Sequence, residues 1–251
     1  MKIKVNYRLI LLFFIWIAAG ICSFTTAQAS QTMSLNKKAI AVCLGKTQIF
    51  SVTGTDAKVK WSSSKKKVAT VSKRGRVTGK HIGTAVITAK AGKTKRRCVV
   101  KVVAHDYDEN GVCRLCNQKI SEKVVYKNMV TNKSLFPEGS VWGPTVRYAW
   151  RGGTWGSGLG CVAFAFRVSD SAFGSLPGRT HKEFSKIKVG DIVRVNNNRH
   201  SLICLKHSGK KYVFAEGNVG GRVYWTTNYT LSWLKKNGTF VYTRYPAKSG
   251  S

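Results

Sequence analysis

Acid is scarce in this sequence: 10 Asp+Glu stand against 43 Lys+Arg in 251 residues, a formal charge of +33. That imbalance excludes a self-neutral surface and points to an anionic partner. Proline is sparse too, at 4 residues, and the hydrophobic share of 43% is ordinary, which argues against wholesale disorder. Beyond the leader described next there is no long apolar run, so no later segment is expected to cross a bilayer.

The first 29 residues read as a secretory signal peptide. Lys2, Lys4 and Arg8 precede an apolar run from Leu9 to Ile21, and Ala27-Gln28-Ala29 supplies a small-residue cleavage site before Ser30. Cys22 follows Ile21 where a lipoprotein needs a small residue, so lipid anchoring is not expected. With the leader removed, the chain is expected to be secreted, extracellular or cell-wall associated, with no transmembrane anchor. The anionic partners available there are wall polymers and lipid headgroups, with nucleic acid only where it is extracellular; charge alone does not choose among them, and nothing points to specific nucleic acid. Association with them should weaken as salt screens the attraction.

From Ser34 to Val103 short β-branched segments alternate with turn signals such as Gly45-Lys46, Arg74-Gly75 and Ala91-Gly92, the mark of a small antiparallel sandwich. The order of Lys60-Trp61-Ser62-Ser63-Ser64, Val68-Ala69-Thr70-Val71-Ser72, Gly75-Arg76-Val77-Thr78-Gly79 and Gly83-Thr84-Ala85-Val86-Ile87-Thr88 resembles the bacterial Ig-like domain of group 2. The resemblance implies an Ig-like sandwich used for adhesion, spacing or wall association, and no catalysis. Cys43 lies early and Cys98 in the last strand, where such a sandwich can bring terminal strands side by side. A disulfide between them is expected, with two buried free thiols as the alternative.

His105 to Cys116 is acidic where its surroundings are basic, and Cys113-x-x-Cys116 with His105 offers three ligands at zinc-like spacing, an Asp being available as the fourth. A local disulfide or a redox pair fits the same residues, although no thioredoxin-like βαβ pattern surrounds them.

Glycines crowd the approach to Cys161 in Arg151-Gly152-Gly153-Thr154-Trp155-Gly156-Ser157-Gly158-Leu159-Gly160-Cys161, and the apolar run after it, unbroken until Gly174, reads as a buried helix. Cys161 at that helix N-terminus would have its thiolate favoured by free backbone N–H groups and the macrodipole. Two strands follow, over Lys188 to Val195 and Arg199 to Leu205, and His200 opening the second is the candidate base. A third strand, Tyr212 to Asn218, offers Glu216 or Asn218 to orient the imidazole. Cys204 alternates with Leu202 and reads as core. Among the aromatics, Trp155 and Trp225 are candidates for a substrate platform.

This Cys, His, polar order resembles the papain-like cysteine peptidases and amidases of bacterial cell walls, the NlpC-type and CHAP families, over about Phe136 to Tyr245. Tyr148-Ala149-Trp150-Arg151-Gly152-Gly153 is similar to the motif before the NlpC-type nucleophile, and Glu216-Gly217-Asn218 to CHAP. The resemblance implies Cys161 as nucleophile, His200 as base, Glu216 as orienting residue, Asn218 as auxiliary and Tyr148 as oxyanion donor, with no cofactor required for catalysis. Arg151 inside the motif, and Val162-Ala163 where a small pair is usual, depart from it.

The expectation is therefore an all-β Ig-like sandwich plus an α+β papain-like domain: signal peptide 1–29, Ig-like domain 30–104, linker 105–135 with a possible structural zinc, catalytic domain 136–251. The function expected is cleavage of peptidoglycan amide bonds, with peptidoglycan and anionic wall polymers as partners. A non-catalytic adhesin or wall-binding protein with an inactive second domain is the alternative, and an acyltransferase would share the same thioester chemistry.

Overall fold

The computed structural model describes residues 32–153 and 156–247. The leader and Trp155 lie outside the described residues. Among the described residues no helix is long and apolar enough to cross a membrane.

In chain order the first part runs β1 (Ser34–Leu35), β2 (Ala39–Cys43), β3 (Thr47–Ile49), β4 (Val52–Thr53), β5 (Lys60–Ser63), β6 (Ala69–Val71), β7 (Arg76–Gly79), β8 (Gly83–Ala91) and β9 (Thr94–Val103). Two sheets, ordered β2-β9-β8-β5 and β3-β7-β6, enclose one apolar core. The alternation read from the sequence sets their faces: Ala85, Ile87, Cys98, Val100 and Val102 point inward toward Ala69 and Val77, while Val99 and Lys101 point out. This is the Ig-like sandwich that the residue pattern predicts.

The Cys43–Cys98 disulfide does not form. β2 runs parallel to β9 with Cys43 opposite Val103, whereas Cys98 lies opposite Ile87 on β8. From Val103 back to Cys98 is about 17 Å of strand, far outside the reach of a disulfide. Cys98 is a free thiol in the sandwich core, and Cys43, also free, belongs to a different cluster.

The stretch expected to be a linker is folded. Residues 105–119 make a tight knuckle in which Tyr107 bridges Cys113 and Val112 bridges Lys119. Ser121 then caps α1 (Glu122–Met129) by accepting the Val124 N–H, and Val125 and Met129 are fully buried.

The second part comprises β10 (Arg147–Ala149), β11 (Ser157–Leu159), α2 (Gly160–Phe173), β12 (Arg179–His181), β13 (Ile192–Val195), β14 (His200–Ser208), β15 (Lys211–Val219), β16 (Arg222–Thr230), α3 (Leu231–Asn237) and β17 (Gly238–Thr243). Its antiparallel sheet has the order β12-β17-β13-β14-β15-β16. β14 is apolar on both faces because both are covered: Ile203 and Leu205 join the core containing α2, and Leu202 and Cys204 join the one containing Leu234 of α3. Cys204 is core, as its alternation predicts. β14 runs on through His207 to Ser208, and the chain turns at Gly209.

At its far end α2 is held by a buried ion pair, Asp170 Oδ1 to Arg244 at 2.7 Å. Arg244 also donates to the carbonyl of Gly174, a group that the end of the helix leaves open, and to that of Leu176 just beyond it.

Candidate functional site

Cys161 is the second residue of α2, following Gly160 whose φ is +52°. A side chain at position 160 would be strained by that backbone and would meet the Asn218 amide nitrogen at 2.9 Å and the Pro144 backbone at 3.2 Å. The Gly160 carbonyl accepts from the indole of Trp142 and its N–H donates to Val146, so the entry to the helix is fixed from two sides. In the first helical turn the Cys161 N–H has no carbonyl a turn earlier to bond.

His200 opens β14 and Glu216 lies on the neighbouring β15, where Leu202 is paired opposite Glu216. His200 Nε2 and Glu216 Oε2 are 2.7 Å apart, and the other carboxylate oxygen accepts from the Tyr229 hydroxyl at 3.2 Å. His200 also hydrogen-bonds Cys161. The three side chains therefore form one chain of contacts from a helix start and two adjacent strands.

The electrostatics follow from that contact. Burial opposes ionisation of Cys161, but the hydrogen bond and charge of His200, the charge of Arg194 and the Ser201 backbone outweigh it and bring the thiol down to about 7. Burial works against the His200 cation as well, and its bonds to Cys161 and Glu216 override that and lift the imidazole to about 9. A thiolate and an imidazolium coexist between those values.

Two members of the site are not evident from the motif. Arg194 is largely buried on β13 and bonds Ser201, Asn198 and Cys161, and its signal in the sequence is a lone cation inside the apolar strand Ile192-Val193-Arg194-Val195. Tyr229 carries no local signal, because it depends on the register between β15 and β16. A cavity of about 280 Å³ beside the cysteine is lined by Leu159, Val162, Phe166, Arg194, Asn198 and Tyr242 among others. Val162, one of the departures noted in the sequence, forms part of its wall.

Asn218 is not on the face of Glu216, as plain alternation predicts. β15 is irregular between Glu216 and Val219 and Asn218 has φ +61°, which turns its amide toward Gly160. Tyr148 is not brought to the cysteine. Its side chain bonds Asp170 and lies beside Arg167, and Asp170 is about 13 Å along α2 from Cys161. Trp225 is not a platform: it is 1% exposed, its indole N–H donates to the Phe136 carbonyl and its ring packs on Phe164.

His105, Cys113 and Cys116 do come together, and the fourth member is Cys43 rather than an Asp. One ligand atom from each of the four lies within 4.8 Å of the others. Burial, with the charge of Lys46, holds His105 down to about 4, so its imidazole is neutral.

Residues 29–102 match the family model of the bacterial Ig-like domain (group 2). No curated protein sequence matches the chain significantly. Among solved structures, domains 4 and 5 of the S-layer protein SbsC are 29% identical over 29% of this chain and 51% of theirs, with a TM-score of 0.27. A GH10 xylanase from termite gut that contains a bacterial Ig-like domain is 22% identical over 29% of this chain and 20% of its own, TM-score 0.25. An intimin mutant of EHEC O157:H7 is 12% identical over 79% and 92%, TM-score 0.27. The chain thus spans about half or less of the first of these structures, and with TM-scores this low nothing about activity or partners carries across.

Proposed function

We propose that residues 136–251 are a papain-like cysteine hydrolase of the CHAP or NlpC type, exported with the Ig-like domain to the cell surface, where it cuts amide bonds of peptidoglycan. The observation that carries this reading is the contact chain Cys161, His200, Glu216, with the 2.7 Å bond between the last two and the thiol brought down to about 7.

In that mechanism the Cys161 thiolate attacks the amide carbonyl and a C–S bond forms. The N–H of Cys161 at the start of α2 and the Asn218 amide beside Gly160 are the donors available to the oxyanion, the role that Tyr148 is too far away to take. The C–N bond breaks as His200 gives its proton to the leaving amine. Water then gives a proton to His200 and attacks the thioester, the C–S bond breaks, and the thiolate returns. Glu216, held by Tyr229, keeps the imidazole turned toward the sulfur throughout.

The substrate class rests on charge and on the cavity. Lys65 to Lys67, Lys93, Lys95, Arg96 and Arg97, and Lys235 with Lys236 are all exposed, which suits retention on an anionic wall. Arg194 at the cavity wall has its guanidinium committed to Asn198 and Ser201, so it holds the shape of the cavity beside the thiol.

Incubating the mature protein and its Cys161→Ala variant with purified peptidoglycan, with soluble products read by mass spectrometry, tests the reading. Products from the wild type alone support a cysteine hydrolase, and their masses identify the bond. Equal absence of products from both, with both sedimenting with the wall, replaces it with a non-catalytic wall-binding protein.

A further inference from the structure

We propose that Cys43, His105, Cys113 and Cys116 bind one structural zinc ion, and that this ion ties the Ig-like sandwich to the domain bearing Cys161. Three of the ligands come from the knuckle and the fourth from the last residue of β2, a strand of the sandwich. Cys43 Sγ is 3.7 Å from Cys113 Sγ and Cys116 Sγ is 3.3 Å from His105 Nδ1. A tetrahedral zinc with bonds of about 2.3 Å to sulfur and about 2.0 Å to nitrogen sets these separations at roughly 3.8 and 3.5 Å. The first value is nearly twice the bonded distance of a disulfide, about 2.05 Å.

The surroundings have the form of a built ligand shell. Backbone N–H groups of Leu115, Cys116 and Asp106 are directed at Cys113 Sγ, and that of Gln118 at Cys116 Sγ, donors that suit thiolates rather than a disulfide. Asn117, with φ +54°, makes the turn after which the Gln118 N–H follows, and its own N–H closes on the Cys113 carbonyl at 2.8 Å. A ring N–H of His105 donates to the carbonyl of Leu44, the residue after Cys43, which fixes the ring for coordination. His105, Cys43 and Cys113 are at most 1% exposed and Cys116 is half-buried, so three thiols and an imidazole converge in a largely buried site with no carboxylate among them. Soft sulfur with one imidazole selects zinc over calcium or magnesium. Binding releases three thiol protons and leaves a complex of net charge −1.

The ion would act on more than the knuckle. α2 ends against it: at Gly174, φ +63°, an added Cβ would fall 1.9 Å from the His105 carbonyl oxygen, and Ser175 donates to Asp106 at 2.5 Å. Zinc at this point fixes one end of the helix that carries Cys161 at the other.

The test uses the full mature chain purified under reducing conditions, loaded with zinc and passed through a competing chelator, with metal measured by mass spectrometry. One zinc per chain is expected in the wild type and in Cys161→Ala, with loss in Cys43→Ser and retention in His105→Cys, which keeps four soft ligands. Zinc loading of the apo wild type should raise Tm, a readout that needs no variant to fold. The proposal is overturned by sub-stoichiometric zinc in the wild type, by equal uptake in Cys43→Ser, by an unchanged Tm, or by peptide mapping that finds any of Cys43, Cys113 and Cys116 in a disulfide. None of these readouts depends on hydrolysis.

Discussion

At the scale of single residues, the site is defined by which proton sits where. With the Cys161 thiol near 7 and the His200 imidazole near 9, the reactive ion pair exists only between them. In the proposed hydrolysis the sulfur would be protonated below that window and unable to attack, and above it the neutral imidazole would be unable to protonate a leaving amine. The pH profile of kcat/KM should therefore be a bell that rises through about 7 and falls through about 9, limbs that belong to the coupled pair. Glu216→Gln keeps an acceptor for the ring but removes the charge that favours the cation. Its kcat should fall by about 10²-fold and the upper limb should move to lower pH, both read from the same kinetic series. A fall in kcat with an unmoved upper limb would mean that Glu216 acts on packing alone.

At the scale of elements, α2 is the member on which most else depends, and it was the most legible. The glycine approach, the apolar run and Gly174 mark its two ends, and the structure gives Gly160–Phe173. His200 and Glu216 were legible because strands beside the helix carry them. What could not be read depended on register and distance along the chain. Asn218 changes face through an irregularity in β15, Tyr229 reaches the site from a neighbouring strand, and Trp225 is buried by a helix that no local pattern places over it. Cys43 was paired with Cys98 because strand adjacency does not give register, and it is register that carries the two far apart. The far end of α2 offers its own test. Asp170→Ala would leave the Arg244 guanidinium buried and unpaired, so unfolding by urea should show a loss of about 3–5 kcal/mol. Additivity with Cys161→Ala is expected, because the two lie at opposite ends of the helix.

At the scale of the whole molecule, the charge excess is spread over both parts, with exposed clusters on the sandwich and on α3. Binding to isolated wall material should then weaken steadily as sodium chloride rises from low to high ionic strength, in wild type and Cys161→Ala alike, as measured by co-sedimentation. Retention that ignores salt would point to specific recognition by a cavity in place of charge. The two parts also touch away from the knuckle, where His81 of the sandwich bonds the Thr131 carbonyl at 3.0 Å and Ser134, and Lys46 adds a contact at the knuckle itself by donating to Gln118. The boundary drawn after Ala104 from composition is thus a boundary of pattern and not of packing.

That packing limits how this protein can be taken apart. Cys43 sits in one core with Tyr107 and Cys113, so a fragment beginning after Ala104 would expose apolar surface that the sandwich normally shields, and a fragment ending there would carry an orphaned thiol. In evolutionary terms, shuffling the sandwich onto another partner domain would require the knuckle to travel with it, and the inheritable unit runs at least from β2 to the end of the knuckle.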